Sequence, residues 1–168
     1  MTENNRNANT IIVSELKEDS QHKDSHIINW SSYFCEINKN IYSLPRFVDE
    51  NKEAFKSKYL ELIFNLGESK LNGRSVVDFL EIRPNFSYWW MTLLSEKCNA
   101  IKSPQIDNAI KLLAFENWLS KRQYNKIFLK SSNKELVEAF QILSNKLGIE
   151  FVWEKLQVSP YKKRKKIH

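Results

Sequence analysis

The clearest pattern of apolar and polar positions lies between residues 126 and 155. Residues 126–130 (KIFLK) and 149–155 (IEFVWEK) are short runs with the β-branched and aromatic side chains that are typical of strands. Between them, apolar residues recur at spacings of four, three and four and mark one face of a helix: Leu136, Phe140, Leu143 and Leu147. A strand, a helix and a strand in about 30 residues predict a right-handed parallel crossover.

The ends of this helix carry their own signals. Ser132 followed by Glu135 resembles a capping box, in which each side chain bonds to the other residue's backbone N–H group. Gly148 lies at the position after the last helical turn, where a residue in the left-handed backbone conformation is expected.

Weaker patterns predict the remaining elements. Residues 10–15 (TIIVSE) are expected to form a first strand, and the polar residues 17–24 a loop. Residues 30–44 have weak periodicity, stay unassigned and have room for a fourth strand. Further helices are expected over four segments: residues 49–66, 75–80 behind a Ser75–Asp78 capping box, 87–97, and 104–121 behind Ser103–Pro104.

These elements together predict an α/β fold. It would be Rossmann-like and helix-rich, with a small parallel sheet and several flanking helices. Residues 10–160 are expected to form a single domain. Residues 1–9 are expected to be a flexible N-terminus, and residues 161–168 a basic tail or a truncated linker.

Charge is concentrated at the C-terminal end of the chain. The formal net charge is +6, and five positive charges belong to one run: Lys162, Lys163, Arg164, Lys165 and Lys166. The remaining residues are nearly neutral, so the folded surface is not expected to be a nucleic-acid platform. Three interpretations of the tail are open: a site for RNA, a contact with an anionic membrane surface, or a solvated terminus.

Composition excludes several kinds of site. The few glycines argue against a dinucleotide fingerprint or a phosphate-binding loop, and no cofactor is predicted. The three histidines lie in polar or terminal segments without metal-ligand spacing, so no metal site is predicted either. Apolar runs are too short to span a bilayer and no signal peptide is evident, which predicts a cytoplasmic protein. Cys35 and Cys98 are expected to be free thiols.

The segment of residues 83–97 (RPNFSYWWMTLLSEK) is the main candidate site. Aromatic faces and neighbouring polar groups suit a sugar ring or a phosphate, so six residues are candidates for substrate binding: Arg83, Phe86, Ser87, Tyr88, Trp90 and Lys97. Glu96 is the candidate general base, because the preceding apolar stretch would raise its pKa. The competing interpretations are a core helix, with Trp89 or Trp90 buried, and a surface pair of Glu96 with Lys97.

A second candidate site lies at the end of the strand at residues 126–130. Ser131 and Ser132 precede a helix, and ligands of parallel sheets bind beyond the carboxyl ends of the strands. Free N–H groups of the helix would hold an anion there. The competing interpretation is plain helix capping by Ser132.

The block FSYWWMTLLSEK (residues 86–97), with Lys102–Ser103–Pro104 and residues 110–113 (IKLL), resembles a bacterial family of surface-carbohydrate biosynthesis proteins of the O-antigen type. The resemblance runs from Thr10 to the end of the chain. Family members are longer and look like two-domain glycosyltransferases, so the chain resembles their N-terminal part. The resemblance implies a half that faces the acceptor, with the nucleotide-sugar donor held by a C-terminal domain that this chain would lack. It carries over no catalytic residues.

The resulting expectation is an acceptor-side domain, or truncated copy, of a glycosyltransferase-like protein that is inactive alone. Its partner would be a glycan or lipid-linked glycan acceptor, with peripheral contact at the inner membrane. The alternative is a non-enzymatic binding module that uses its basic tail on nucleic acid or anionic membrane. A third reading is a degenerate remnant without activity.

Overall fold

The computed structural model describes residues 10–16, 25–33, 40–95 and 103–156. In chain order the elements are β1 (Thr10–Ser14), β2 (His26–Asn29), β3 (Ile41–Ser43), α1 (Leu44–Glu50), α2 (Lys52–Glu68), β4 (Lys70–Leu71), β5 (Arg74–Ser75), α3 (Val76–Phe79), β6 (Glu81–Arg83), β7 (Phe86–Ser87), a 3₁₀ helix (Tyr88–Met91), α4 (Pro104–Leu119), β8 (Lys126–Ser131), α5 (Lys134–Leu147) and β9 (Glu150–Lys155).

Contacts between residues separate the chain into two compact units. The first, here called the sheet unit, comprises Met1–Tyr42 and Tyr124–His168. The second, here called the helical unit, is Ser43–Gln123. The expected flexible N-terminus, the loop at residues 17–24, both cysteines and the basic tail lie outside the described residues.

The main sheet has five strands in the order β3-β2-β1-β8-β9. Strand β1 pairs in parallel with β2 on one side and with β8 on the other, and β8 pairs in parallel with β9. The predicted α/β, Rossmann-like class is confirmed, as is the parallel β8–α5–β9 unit. The chain adds strands outward from β1 in one direction and then returns to its other side, so a topological switch point lies between β1 and β8.

Burial on both faces explains why the central strands are continuously apolar. Ile11, Ile12 and Val13 of β1 are all buried although they are consecutive, and Ile127 and Leu129 of β8 are buried as well. Strands of a parallel sheet that is covered on both faces have such sequences. This run made β1 predictable, whereas the four residues of β2 were missed because the run HIIN is too short to show a period. Strand β3 lies within the segment that had room for a fourth strand.

The N-cap of helix α5 lies one residue later than predicted. The N-cap is Asn133, whose side chain accepts a hydrogen bond from the Leu136 N–H group at 3.2 Å. The predicted Ser132–Glu135 capping box is therefore wrong: Asn is as good a cap as Ser, and the strand continues to Ser131. The C-terminal prediction is confirmed, since Gly148 has φ of 66°.

The helical unit follows the predictions for three of its helices with changes at the ends. The single helix expected over residues 49–66 is two helices, α1 and α2, which meet at Asn51. Helix α3 is capped as predicted, because the Ser75 hydroxyl accepts from the Asp78 N–H group at 3.0 Å. Helix α4 begins after Ser103 as predicted, but the Ser103 hydroxyl donates to the Gln105 side chain and does not cap.

The helix expected over residues 87–97 is wrong. Phe86 and Ser87 form β7, and the 3₁₀ helix that follows ends at Met91. Beyond it the chain makes turns up to Ser95. The Ser87 and Thr92 side chains bond to nearby backbone here, and such bonds compete with helix formation.

Candidate functional site

The main candidate site is built on a short antiparallel hairpin of the helical unit. Strands β6 and β7 pair across a turn at Pro84 and Asn85, where Asn85 has φ of 63°. The Glu81 carboxylate accepts a hydrogen bond from the Asn85 N–H group at 2.9 Å and so stabilises this turn. The Tyr88 N–H group then donates to the Leu80 carbonyl at 2.9 Å, which holds the start of the 3₁₀ helix against the hairpin.

Trp89 anchors the site in the core of the helical unit. Its side chain is buried, and a Cβ atom placed on Gly67 would lie 3.0 Å from its Nε1 atom. Among the described residues this indole N–H group has no hydrogen-bond partner. The Ser87 hydroxyl accepts from the Trp89 N–H group at 3.2 Å and donates to the Val77 carbonyl at 2.6 Å. Ser87, a predicted substrate-binding residue, is thus buried and engaged with backbone.

Two side chains after the 3₁₀ helix donate hydrogen bonds to the same carbonyl group. The Trp89 carbonyl accepts from the Thr92 hydroxyl at 2.7 Å and from the Ser95 hydroxyl at 2.6 Å. The Thr92 N–H group also donates to it, at 3.1 Å. We call residues 86–95, from β7 to Ser95, the aromatic turn. Its conformation comes from these side-chain hydrogen bonds to backbone, which sequence periodicity does not reveal.

The aromatic turn presents Tyr88 and Trp90 to solvent. Their side chains are 51% and 56% exposed, respectively, although Trp89 between them is 6% exposed. Successive residues of a 3₁₀ helix point about 120° apart, and residues three apart lie on the same side. Tyr88 therefore shares a side with Met91, and Trp90 points to a different side. The two exposed rings do not form one flat platform.

Arg83 is held beside the aromatic turn by Phe86. Its guanidinium carbon lies 4.6 Å from the centre of the half-buried Phe86 ring, within the range of a cation–π interaction. The hairpin register places Arg83 opposite Phe86. The structure thus brings together five of the predicted residues on one hairpin and one turn: Arg83, Phe86, Ser87, Tyr88 and Trp90. Glu96 and Lys97 lie outside the described residues.

Tyr59 joins helix α2 to the aromatic turn, and sequence reasoning missed it as a site residue. Its hydroxyl donates to the Leu94 carbonyl at 3.0 Å. Partial burial raises the pKa of the Tyr59 hydroxyl above its ordinary value, because loss of water disfavours the phenolate. The helical spacing of Tyr59 within α2 was visible in the sequence, but its partner is 35 residues away.

The second candidate site lies at the switch point of the sheet unit, beyond β1 and β8. Ser131 is fully buried, and its hydroxyl accepts from the Asn133 N–H group at 2.9 Å. The exposed Ser132 donates its N–H group to the Glu15 carboxylate at 3.1 Å. The polar groups predicted to hold an anion are therefore bonded to the chain itself, and a carboxylate already occupies the position.

Two more polar residues lie at this edge: Lys130, which belongs to the strand end at residues 130–132 that the sequence already indicates, and Asn29, which the sequence does not indicate. Lys130 is buried, and its ammonium lies 3.8 Å from the Glu154 carboxylate across the β8–β9 pair. Asn29 is buried at the end of β2 and accepts from the Ser32 N–H group at 2.7 Å. The position of Asn29 at the carboxyl end of a strand was the available signal, but the sequence does not predict β2.

Two further findings bear on chemistry in the described part of the chain. Within residues 10–16, 25–33, 40–95 and 103–156, no group of three His, Cys, Asp or Glu side chains is arranged to hold a metal ion. No helix among these same residues combines the length and apolar character that crossing a membrane requires.

Comparison of the chain with protein-family models, with curated proteins and with solved structures finds no match.

Proposed function

We propose that this chain is an acceptor-binding domain of a glycosyltransferase-like protein in bacterial surface-polysaccharide biosynthesis. The observation that carries the proposal is the split between adjacent tryptophans. Trp89 is buried and anchors the aromatic turn, whereas Trp90 is held in the exposed position next to it. A large aromatic ring that stays exposed on a fixed backbone is suited to stacking against a ligand.

The chemistry of the aromatic turn suits a glycan with an acidic or phosphorylated group. The faces of Tyr88 and Trp90 offer apolar surface for the C–H faces of sugar rings. Because the two rings point to different sides, each would contact a different sugar of the acceptor. The Arg83 guanidinium, oriented by Phe86, would donate to a phosphate or carboxylate.

In this proposal the chain binds the acceptor and a further domain binds the nucleotide sugar. Support for the assignment comes from the resemblance of residues 86–97 and from the α/β class of the sheet unit. We assign no catalytic residue among the described residues. Glu96 stays a prediction for the general base, and Lys97 a prediction for phosphate contact.

Nuclear magnetic resonance (NMR) of the indole groups tests the proposal. The chain has five tryptophans, so the ¹⁵N-labelled 168-residue protein gives five indole N–H signals. Soluble, lipid-free oligosaccharides of bacterial surface polysaccharides are the probes. We expect the Trp90 signal, assigned with Trp90→Phe, to shift on titration. The signals of the buried Trp30 and Trp118 serve as internal references and should stay in place.

A pair of variants separates binding from folding. Trp90→Ala should abolish the shifts at neighbouring residues while the far-ultraviolet circular dichroism and the melting temperature stay unchanged, because this side chain is half exposed. Ile142→Ala on α5 is the matched control, since Ile142 is also exposed but lies in the sheet unit. Absence of any glycan-induced shift at Trp90, or unfolding of Trp90→Ala, would contradict the proposal.

A further inference from the structure

The aromatic turn exposes aliphatic side chains that stacking on a sugar does not explain. Met91 is 56% exposed and Leu93 is 55% exposed, and Leu94 is exposed as well. Met91 ends the 3₁₀ helix, and Leu93 and Leu94 lie in the turns that follow, between Thr92 and Ser95, whose hydroxyl groups donate to the Trp89 carbonyl. Flexible aliphatic chains have no flat face to offer a sugar ring, so they require a different partner.

The apolar surface continues onto the neighbouring elements of the helical unit. Phe79 on α3 and Ile82 on β6 are both more than half exposed. Helix α3 and strand β6 each contact the 3₁₀ helix, so these residues lie on elements next to the aromatic turn. We call the five aliphatic and aromatic residues of this surface the apolar edge: Phe79, Ile82, Met91, Leu93 and Leu94. Adjoining exposed apolar residues of this kind mark a contact with a membrane or another macromolecule.

Hydrogen bonding within the turn makes a lipid surface suitable. Backbone groups that leave water must already be paired, because lipid offers them no partner. The N–H groups of Tyr88, Thr92 and Ser95 donate to carbonyls of the same unit. The Leu94 carbonyl accepts from the Tyr59 hydroxyl. These groups therefore lose no hydrogen bond when the apolar edge leaves water.

Charge favours an anionic lipid surface in particular. The residues of the apolar edge lie between positions 79 and 94, where one acidic residue, Glu81, and one basic residue, Arg83, leave no net charge. The same chain carries five consecutive basic residues at positions 162–166. Stable peripheral attachment usually takes two signals, such as inserted apolar groups and a polybasic segment. This chain has both.

We infer that the apolar edge rests at headgroup depth on an anionic lipid bilayer. Tyr88, which shares a side of the 3₁₀ helix with Met91, belongs at that depth, since amphipathic rings are enriched at membrane–water interfaces. Trp90 points to a different side. The membrane contact does not depend on glycan binding. The further conclusion that the acceptor is lipid-linked rests on the proposed function, because a bilayer at the apolar edge presents lipid-linked glycans next to the aromatic turn.

Flotation with glycan-free vesicles tests the membrane contact. The 168-residue protein is mixed with vesicles of phosphatidylcholine and phosphatidylglycerol at 3:1, or of phosphatidylcholine alone. We expect binding to the anionic vesicles and much weaker binding to the neutral ones. Met91→Ser/Leu93→Ser should weaken binding about tenfold or more, given the apolar area removed. Ile142→Ser/Leu147→Ser, which removes exposed apolar side chains from α5, should change it less than about twofold.

A third variant separates the two signals. Replacing the five basic residues at positions 162–166 by glutamine should remove most of the salt dependence of binding. Met91→Ser/Leu93→Ser should keep that salt dependence. The inference is overturned if the wild-type protein does not bind anionic vesicles at low salt. It is overturned equally if Met91→Ser/Leu93→Ser binds like wild type, or if the apolar edge instead mediates self-association in sedimentation.

The two proposals fail separately because the probes differ. Glycan-free vesicles report the membrane contact, and the lipid-free oligosaccharides of the NMR titration report glycan binding. Vesicle binding without glycan shifts would leave a membrane-associated protein of another function. Glycan shifts without vesicle binding would leave a soluble-acceptor site.

Discussion

The core of the sheet unit and the aromatic turn of the helical unit use large aromatic residues in different ways. In the sheet unit, Trp30 and Phe140 are buried against each other, with ring centres 5.3 Å apart in an edge-to-face arrangement. In the helical unit, Trp89 is buried but the adjacent Trp90 is more than half exposed. The first pair contributes to folding by removing apolar area from water. The exposed Trp90 ring removes less apolar area from water, which agrees with its proposed role in binding.

The conformations of the two regions also have different origins. The spacing of buried apolar side chains specifies β1, β8 and α5. The strands are stabilised by parallel pairing, and all three elements are stabilised by packing in the core. The aromatic turn is stabilised by hydrogen bonds between the backbone of Trp89 and the side-chain hydroxyl groups of Ser87, Thr92 and Ser95. A region held by polar bonds around one anchor can keep its other side chains free for binding.

The sharpest contrast is between the buried and the exposed aromatic residue. Phe140→Ala should lower the free energy of unfolding by about 3–5 kcal/mol, because it opens a cavity beside Trp30. Trp90→Ala should change it by less than about 0.5 kcal/mol. Urea unfolding followed by circular dichroism measures both. A large loss in Trp90→Ala would remove the contrast, since it would make Trp90 a core residue.

The anchor of the aromatic turn can be tested from helix α2. In Gly67→Ala the new Cβ would lie 3.0 Å from both Trp89 Nε1 and Val77 Cγ2, which requires Trp89 to move. We expect a net loss of about 1–3 kcal/mol, despite the gain of about 1 kcal/mol in helix propensity. Thermal unfolding and the Trp89 indole NMR signal measure the effect. Glu68→Ala, at the exposed neighbour, is the control and should be nearly neutral; a stabilised Gly67→Ala would show that Trp89 is loosely held.

Helix caps provide the next comparison between the units. Asn133→Ala should cost about 1 kcal/mol, because it removes the side-chain acceptor for the Leu136 N–H group. Ser103→Ala at the start of α4 should cost only a few tenths of a kcal/mol, since its hydroxyl makes no capping bond. The midpoints of denaturant unfolding measure both losses of stability, provided that the slope of the unfolding free energy against denaturant concentration is unchanged. Equal losses would mean that Ser103 caps α4 in solution.

The smallest expected effect concerns alkaline pH and the helical unit. Burial raises the pKa of Tyr59 in the folded state, so the unfolded chain releases this proton first as pH rises. The stability that the folded protein gains from keeping Tyr59 protonated is fully present below about pH 10, the ordinary tyrosine pKa. It is lost as pH rises through the folded-state pKa of Tyr59. Tyr59→Phe should therefore show a shallower loss of stability above about pH 10. Tyr42→Phe is the comparison in the sheet unit, and an identical effect there would contradict the assignment to Tyr59.

Predictability from sequence also differs between the regions, for a physical reason. Periodicity reports which side chains face a core, so it worked for α5, where Leu136, Phe140 and Leu143 are buried. It failed for residues 87–97, where an apolar run without a core-facing stripe resembled a helix. The aromatic candidates were found because residue type alone marks them as unusual. Tyr59 was missed because its bond to Leu94 joins residues distant in sequence.

Local sequence is sufficient to predict the β8–α5–β9 unit, its parallel direction and the left-handed residue Gly148 at the end of α5. These depend on local conformational preferences and chirality, which neighbouring residues carry. Only the tertiary structure decided that Trp89 is buried and Trp90 exposed, because the deciding neighbour is Gly67 on another helix. It also decided that the Ser132 N–H group bonds to Glu15, which is 117 residues away. Contacts between distant segments are set by packing and leave no periodic signal.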